Sequence, residues 1–468
     1  MALNFIIRLL LIISILSSIA NAKKTVFIDP NDRWQLFEGW GTMLSWWTNV
    51  IGGFPNYYKE FVADLAFDPE KGLGLNVIRF VIPGGDNPTH HHIRPEGNVP
   101  GYWQCSTCNF NWSADEHQRW ALFASLKRGA NIFEANSASP PYWMTKSNCS
   151  SGSVHGISDN LHPSYYDAFA KYLTEVVSWY KEQGIIFRTI APFNEPSAKW
   201  WKALGYQEGC HYSCSTMNTI IKKVADNLIA KGLNDTSISI ADEYAVDQEV
   251  STINCIDSAA KSYVSQYNVH GYRSSQKTEL HNITNKDGKK LWMSEYGLTT
   301  TLDMSASITL SEQILNDMRN LKTNAWVYFQ AIQDDPNGFN GWGLVGVSYT
   351  NSLYPPKIQL DFYAYKQYTK FIRPGYQIIS SNDNDTLAAY SAKDQKLVIV
   401  CTNKGVAQLW NFNVNMFNIS NITAFRTSNN NETFTPLSRI PSINNGSLVY
   451  LHPSDSITTW VFDATLNL

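Results

Sequence analysis

The sequence has almost no excess of charge of either sign, and it has no long apolar run after its first 22 residues. Lysine and arginine together number 37, aspartate and glutamate number 40, and the net charge of the 468 residues is −3. Such a balance leaves no basic face for nucleic acid. A membrane-spanning helix needs about twenty apolar residues in succession. We therefore expect no nucleic-acid partner and no membrane span.

Cysteine is also scarce, and its spacing argues against a metal site. The seven cysteines are residues 105, 108, 149, 210, 214, 255 and 401, so at least one is unpaired in a monomer. Cys105 and Cys108 are spaced like zinc ligands and follow His90-His91-His92, but no second cysteine pair has the matching spacing. Disulfides between surface loops are the favoured alternative in an oxidising compartment. We expect no metal and no cofactor.

The first 22 residues are typical of a secretory signal peptide. They contain one positive charge, Arg8, an apolar run over residues 9–19 and the small-residue pattern Ala20-Asn21-Ala22. A membrane anchor is the alternative, but the apolar run is too short to span a bilayer. The mature protein is expected to be secreted. Nine N-glycosylation sequons agree with this; they begin at Asn111, Asn148, Asn234, Asn282, Asn384, Asn418, Asn421, Asn431 and Asn445.

The order of apolar patterns predicts two domains. Strand-like and helix-like segments alternate over residues 34–356, which is typical of a parallel α/β fold. Eight strand candidates predict a (β/α)8 TIM barrel; they are residues 37–45, 76–82, 131–135, 185–193, 237–241, 267–272, 290–294 and 325–330. After Pro374, short alternating runs predict an antiparallel β-sandwich. The expected parts are a signal peptide (1–22), an N-terminal strand that joins the sandwich (23–36), the barrel (37–366) and the sandwich (367–468).

One helix between these strands is clear in the sequence. Ser164 is a suitable N-cap, and Gly184 is a suitable glycine just beyond the C-terminal end. Apolar residues fall on one helical face between them; they are Phe169, Leu173, Val176, Val177 and Tyr180. This pattern predicts a helix that leads into the fourth barrel strand.

Two glutamates stand where predicted strands end. The apolar run over residues 185–190 leads to Asn194-Glu195-Pro196, and the run that starts at Leu291 leads to Glu295. Parallel barrels keep their active sites at the C-terminal ends of the strands, and glycoside hydrolysis needs two carboxyl groups. Glu195 alone is equally compatible with a solvated loop. Together, Glu195 and Glu295 predict a glycosidase active site.

The chain resembles glycoside hydrolase family 30, and most closely the secreted endo-β-1,6-galactanases. The resemblance extends over nearly the whole mature chain and depends on the order and spacing of several motifs. These are Phe37-Glu38-Gly39-Trp40-Gly41-Thr42, Ile78-Arg79-Phe80, Ser139-Pro140-Pro141-Tyr142-Trp143-Met144, Ala191-Pro192-Phe193-Asn194-Glu195-Pro196, Gln207-Glu208-Gly209-Cys210, His270-Gly271-Tyr272 and Trp292-Met293-Ser294-Glu295-Tyr296-Gly297.

The resemblance implies a retaining endo-glycosidase that acts as a monomer on β-1,6-galactan side chains of arabinogalactan. By position in the motifs, Glu195 would be the acid/base on the fourth strand and Glu295 the nucleophile on the seventh. These roles require a raised pKa for Glu195 and an ionised Glu295. Asn194 would bind the sugar 2-hydroxyl. The remaining candidate substrate-binding residues are Arg79, Asp86, Glu208, His270, Tyr272 and Trp326.

Each of these candidates has an assigned role and several have a structural alternative. Arg79 would keep Glu295 ionised through a hydrogen bond, or it forms a structural salt bridge. Asp86 and Glu208 would accept hydrogen bonds from the sugar, or they belong to an Asp-Asn-Pro turn and to a disulfide-pinned loop. Tyr272 would bond the nucleophile, with His270 nearby, and Trp326 would stack on the sugar ring.

Two other kinds of function remain open from the sequence. Another family 30 specificity is the main one: endo-β-1,6-glucanase, glucosylceramidase or β-xylosidase/fucosidase. A glycan-binding homologue without catalysis would retain the aromatic residues, of which 16 are Trp and 24 are Tyr. Such a homologue would usually lose one catalytic glutamate. Since both glutamates are present, the sequence favours an enzyme.

Overall fold

The protein is described by a computed structural model that covers residues 23–273, 275–337 and 341–467. The signal peptide expected over residues 1–22 lies outside this range. The described residues form two compact units, one within residues 23–37, Thr301–Arg319 and residues 360–467, the other within Glu38–Thr300 and Asn320–Gln359. Within the covered range, no helix is both long enough and apolar enough to cross a membrane.

The strands are, in chain order, β1 (Lys24–Leu36), β2 (Gly39–Met43), β3 (Val77–Ile82), β4 (Ile132–Ser137), β5 (Thr189–Ala191), β6 (Ser237–Ala245), β7 (Val264–Arg273), β8 (Lys290–Tyr296), β9 (Ala325–Tyr328), β10 (Ile332–Asp334), β11 (Val345–Val347), β12 (Lys357–Ile358), β13 (Gln377–Ser381), β14 (Thr386–Ser391), β15 (Lys396–Asn403), β16 (Gln408–Asn413), β17 (Phe417–Ser428), β18 (Glu432–Pro436), β19 (Ser447–His452) and β20 (Ser456–Leu466).

The helices are α1 (Trp47–Ile51), α2 (Asn56–Phe67), α3 (Glu116–Lys127), α4 (Tyr166–Glu182), α5 (Cys214–Ala230), α6 (Val246–Cys255), α7 (Ser258–Lys261), α8 (Lys277–Asp287), α9 (Met304–Asn316) and α10 (Leu360–Thr369). Short 3-10 turns cover Pro95–Gly97, Tyr142–Met144 and Pro163–Tyr165, and a π-helical turn covers Asp317–Leu321.

Strands β2 to β9 close a parallel barrel, which confirms the predicted (β/α)8 fold. Strand β3 has five of its six residues buried, as expected for parallel strands that are covered on both faces. The fourth barrel strand, β5, is only Thr189–Ala191 rather than the expected residues 185–193. The chain therefore leaves the barrel wall before Glu195, in a polar loop at the C-terminal end of the strands.

Helix α4 confirms two of the three local predictions made for it, the buried face and the glycine at its C-terminal end. The five predicted apolar positions are all buried, and Gly184 has a left-handed φ of +90° just beyond the helix. The predicted cap was wrong: Ser164 lies in a 3-10 turn, where the His162 side chain accepts its backbone N–H. The helix itself begins at Tyr166 after a residue without a side-chain cap.

The first unit contains a nine-stranded sheet with the order β18-β17-β20-β15-β14-β13-β1-β16-β19. Strand β1 pairs antiparallel with β13 and parallel with β16, and the other pairings are antiparallel. The sheet curls so that strands from both halves share one apolar core, which includes Ile399, Trp410, Phe412, Leu448, Trp460 and Phe462. The predicted antiparallel side domain is thus present.

His452 lies inside this apolar core. Its ring centroid is 5.1 Å from that of Tyr450, 5.2 Å from Trp410, 5.9 Å from Phe412 and 6.0 Å from Trp460. Burial lowers the pKa of His452 to about 3, and the positive charges of Arg426 and Lys24 contribute to this shift. The folded protein therefore keeps this imidazole neutral at pH values where an exposed histidine is protonated.

Acid should destabilise the protein partly through His452. Below about pH 6.5 the unfolded chain binds a proton at this residue that the folded chain does not bind. The contribution of His452 to the free energy of unfolding is therefore fully present only above that pH. It then falls by about 1.4 kcal/mol per pH unit toward the folded-state pKa. We expect His452→Leu to reduce this slope when urea unfolding is measured between pH 4 and 6.5. An equal slope in the variant and the wild type would contradict the assignment.

Candidate active site

Glu195 and Glu295 lie close together at the C-terminal end of the barrel. Glu295 is the sixth residue of β8, and Glu195 follows the end of β5 by four residues. Each has a carboxylate oxygen within 4.8 Å of the other and of a His270 nitrogen. Retaining glycosidases have carboxyl groups about 5–5.5 Å apart, whereas inverting ones separate them by about 6.5–9.5 Å. The observed proximity supports the retaining arrangement.

The backbone of Glu195 is held in an unusual conformation. Its φ is +49°, in the left-handed region that non-glycine residues adopt at a cost of about 1–3 kcal/mol. Its N–H donates to the carbonyl oxygen of Asp242 at 2.8 Å, and its carbonyl oxygen accepts from Trp201 Nε1 at 3.0 Å. These two bonds fix the loop after β5, so the direction of the carboxylate is set before a substrate binds.

Arg79 lies beneath the two glutamates as part of a fully buried ion-pair network. Its Nε donates to Glu134 Oε1 at 2.8 Å, its Nη2 to Asp242 Oδ2 at 2.7 Å and its Nη1 to the Ser294 carbonyl at 3.1 Å. No direct bond joins Arg79 to Glu295, so the role expected from the sequence is altered. The guanidinium acts on Glu295 through its charge, which lowers the pKa of that carboxyl.

His270 is the positive charge nearest to both glutamates. Its Nδ1 lies 3.1 Å from Glu195 Oε1 and 3.6 Å from Glu295 Oε1, and its Nε2 lies 3.5 Å from Asp242 Oδ1. Burial by itself would lower the pKa of His270, but the charge of Glu295 and bonds to Asp242 and Glu195 outweigh it. They raise this pKa to about 10. The imidazolium therefore persists through the neutral pH range.

Opposing effects act on the pKa of Glu295. Burial raises its pKa and the charge of Glu195 raises it further, whereas His270, Arg79 and a hydrogen bond from the Tyr272 hydroxyl lower it. The Tyr272 bond is 2.9 Å long and ends on Glu295 Oε1. The net direction is upward, which differs from the fully ionised nucleophile expected from the sequence.

A cleft with two adjoining cavities opens around the glutamates. The cavities enclose about 760 and 1130 Å³ of space that is open to solvent, and Glu195 and Glu295 line both. Cavities of this size accommodate organic ligands. Asn194 and Glu208 line the first. Aromatic side chains dominate the second, which is lined by Trp46, Trp200, Trp201, Tyr206, Tyr244, Tyr272, Phe329 and Trp342.

Both carboxylate oxygens of Glu208 accept backbone hydrogen bonds in the wall of the cleft. Oε2 accepts the Gly84 N–H at 3.1 Å and Oε1 accepts the Gly85 N–H at 2.7 Å. Desolvation raises the pKa of Glu208 to about 8 despite these two bonds. Cys210 is a free, buried thiol, so the alternative of a disulfide-pinned loop is wrong. Burial therefore favours the protonated form of Glu208, whereas the two N–H bonds favour its carboxylate.

Trp326 and Asp86 are absent from the cleft lining, as are the buried Arg79 and His270. The Trp326 side chain is fully buried, and its ring lies between the Trp40 and Tyr296 rings at 6.4 and 5.9 Å. It has no exposed face for a sugar. The Oδ1 of Asp86 accepts from the Ser150 backbone and hydroxyl at 2.7 and 3.1 Å.

Asp242 and the Trp342 side of the cleft were not predicted from the sequence. Asp242 is fully buried, has a left-handed φ of +59° and contacts Arg79, His270 and Ser294. It follows the predicted strand 237–241 directly, so the strand-end pattern that identified the two glutamates also marks it. Trp342 follows no strand in that pattern, and the sequence gives no comparable signal for it.

Comparisons with known proteins give consistent similarities. The sequence profile of O-glycosyl hydrolase family 30 matches residues 23–344. An endo-β-1,6-galactanase of Hypocrea rufa is 34% identical over 448 residues, which cover 91% of this chain and 89% of the relative.

Two solved structures share the fold over 94% of this chain and their own whole length. One is a conserved exported protein from Bacteroides fragilis, with a TM-score of 0.79 and 19% identity. The other is the catalytic domain of GH30 xylanase C from Talaromyces cellulolyticus, with a TM-score of 0.74 and 19% identity.

The Tyr272 bond gives a test of the site. A hydrogen bond to a charged group contributes about 1.5–3 kcal/mol, so Tyr272→Phe should lower kcat for aryl β-galactosides by about 10- to 100-fold. Because the bond lowers the pKa of Glu295, its loss should move the acidic limb of the pH profile to higher pH. Tyr244→Phe is the control, since Tyr244 lines the same cleft. Equal effects of the two changes would contradict the assignment.

Proposed function

We propose that this chain, which belongs to O-glycosyl hydrolase family 30, is a retaining endo-β-1,6-galactanase. The observation that carries the proposal is the close approach of Glu195 and Glu295 in an open, aromatic cleft. The similarity to an endo-β-1,6-galactanase over nine-tenths of the chain supports the substrate. The natural substrate would be the β-1,6-galactan side chains of arabinogalactan.

The reaction would proceed in two displacements. In the first, a Glu295 oxygen attacks the anomeric carbon while Glu195 donates its proton to the departing glycosidic oxygen. In the second, Glu195 removes a proton from water, whose oxygen attacks the same carbon and releases Glu295. Asn194, which lines the cleft beside Glu195, would bond the sugar 2-hydroxyl.

His270 would stabilise the carboxylates throughout this cycle. Negative charge is on Glu295 before the first step and on Glu195 after it, and the imidazolium lies 3.1–3.6 Å from both. One fixed cation can therefore stabilise the charge in either location. Asp242 lies 3.5 Å from the other ring nitrogen, Nε2, and would keep the ring in place.

The aromatic cleft supports endo action, and the exposed glycosylation sequons support secretion. Aromatic side chains extend along the cleft beyond the two glutamates, so they offer stacking faces for sugars on more than one subsite. All nine sequon asparagines are exposed, as glycosylation during secretion requires. We include secretion and a monomeric state in the proposal.

Azide should identify the nucleophile. Glu295→Ala should lose about 10⁴-fold or more in kcat, as expected when a nucleophile is removed. Azide should then restore turnover of an activated β-galactoside and give the α-galactosyl azide, because it attacks from the vacated side. The matched Glu195→Ala variant should instead give the β-azide, since its nucleophile is intact. The same azide product from both variants would disprove the roles.

The pH dependence of activity tests the role of Glu195 as the proton donor. With Glu195 as proton donor, kcat/KM should follow a bell whose limbs belong to the coupled carboxyl pair. Glu195→Gln should abolish the alkaline limb for substrates with good leaving groups, because these need no proton. Persistence of that limb in the variant would exclude Glu195 from the role.

The substrate preference can be tested at Glu208. Galactose differs from glucose in its axial 4-hydroxyl, and a site built to bond a hydroxyl discriminates strongly against its absence. Glu208 lines the cleft and Asp86 does not, so Glu208 is the stronger candidate of the two. We expect Glu208→Ala to lower the kcat/KM ratio of β-1,6-galactan to β-1,6-glucan. A wild-type enzyme that hydrolyses both polymers equally would refute the galactan assignment, while the azide experiment tests catalysis separately.

A further inference from the structure

A second group of ionisable side chains converges on loops away from the two glutamates. Asp86, His90 and His92 lie on the loop after β3, and Cys149 lies on the loop after β4. One ligand atom from each of these four residues lies within 4.8 Å of each of the others. His92 Nε2 is 2.8 Å from Asp86 Oδ2 and 3.2 Å from Cys149 Sγ, and His90 Nδ1 is 3.4 Å from Asp86 Oδ2.

Two polar atoms of this group, Asp86 Oδ2 and His90 Nδ1, are buried and make no hydrogen bond within the described residues. The Asp86 side chain is only 5% exposed, and its Oδ1 is bonded by the Ser150 backbone and hydroxyl. A buried carboxylate oxygen without a donor is costly. Its neighbours are ring nitrogens and a sulfur, which are themselves metal ligands.

Bonds at the edge of the group hold its ligand atoms in place. His92 Nδ1 lies 2.5 Å from the Gly205 carbonyl oxygen, which can only accept, so Nδ1 carries a proton. The other ring nitrogen, Nε2, faces Asp86 Oδ2 and Cys149 Sγ. The sulfur accepts the Leu204 N–H at 3.3 Å and contacts the Ser151 hydroxyl at 3.0 Å. A carboxylate oxygen, a ring nitrogen and a sulfur, which are the atom types that zinc binds, therefore face one another.

These features match a structural zinc site. Zinc takes four ligands from cysteine, histidine and aspartate in a tetrahedron. Ligands about 2.0–2.3 Å from the metal are then about 3.3–3.7 Å from one another. Two of the contacts above, at 3.2 and 3.4 Å, lie near this spacing, and the third, at 2.8 Å, is shorter. A histidine that donates its other N–H to a backbone carbonyl is the usual supporting arrangement at zinc. The mixed sulfur, nitrogen and oxygen set favours zinc over calcium or magnesium.

We propose that Asp86, His90, His92 and Cys149 bind one zinc ion that fastens the loops beside the cleft. The metal would join the loop after β3 to the loop after β4. The bonds from Leu204 and to Gly205 extend this connection to the segment that carries Tyr206 and Gln207, which line the cleft. The proposal reverses the sequence expectation of no metal. Cys105 and Cys108, which suggested zinc, are joined in a disulfide.

The first experiment measures the metal directly. The full-length secreted protein is incubated with Zn²⁺, passed over a chelating resin and analysed for zinc by mass spectrometry. We expect one zinc per chain in the wild type. Cys149→Ser and His92→Asn should each weaken zinc affinity by about 100-fold or more in a chelator competition, since loss of an outer partner alone costs about 10- to 100-fold.

The chain offers close controls for both variants. His91→Asn changes an exposed histidine between the two proposed ligands and should leave zinc binding unchanged. Cys401→Ser changes another buried free cysteine and should also have no effect. With Co²⁺ in place of zinc, the wild type and both controls should show a thiolate-to-cobalt absorption band that Cys149→Ser lacks.

Two results would overturn the proposal. One is a wild-type protein that retains no stoichiometric zinc, and the other is equal zinc affinity in Cys149→Ser and His91→Asn. Wild-type metal content does not depend on the folding of any variant. Neither measurement uses catalysis, so failure here leaves the proposed galactanase activity intact.

Discussion

The candidate active site depends on two buried cations that hold four carboxylates together. Arg79 bonds Glu134 and Asp242 beneath the site, and His270 lies between Asp242 and the two catalytic candidates. Buried charges persist only when they are paired and hydrogen-bonded. Because carboxylates outnumber cations, desolvation and mutual repulsion raise the pKa of Glu295. The same network therefore positions the two glutamates and determines how readily Glu295 ionises.

The sequence predicted the features that depend on local pattern. Strand periodicity gave all eight barrel strands, and a carboxylate after an apolar run marked Glu195 and Glu295. Buried faces were predictable where apolar spacing was regular, as in α4. The end of that helix was predictable too, because Gly184 adopts a φ that few other residues tolerate. The start was not, since the His162 side chain displaced Ser164 from its capping role.

Features set by three-dimensional packing were less predictable. Whether Trp326 faces a substrate or the core depends on how neighbouring rings fill the barrel end, and Trp40 and Tyr296 cover it. Arg79 was expected to bond Glu295, but Glu134 and Asp242 lie closer and take its donors. The Asp86 cluster escaped notice because its members come from two loops, and the only obvious cysteine motif, Cys105 and Cys108, forms a disulfide.

The central claim is a double displacement with Glu295 as nucleophile, and the stereochemistry of the product tests it most directly. Proton NMR can follow the anomeric signals as a β-1,6-galactooligosaccharide is cleaved, before the sugar mutarotates. The two carboxyls within 4.8 Å of each other predict that the β-anomer of the new reducing end forms first. Initial release of the α-anomer would show inversion and would contradict the account.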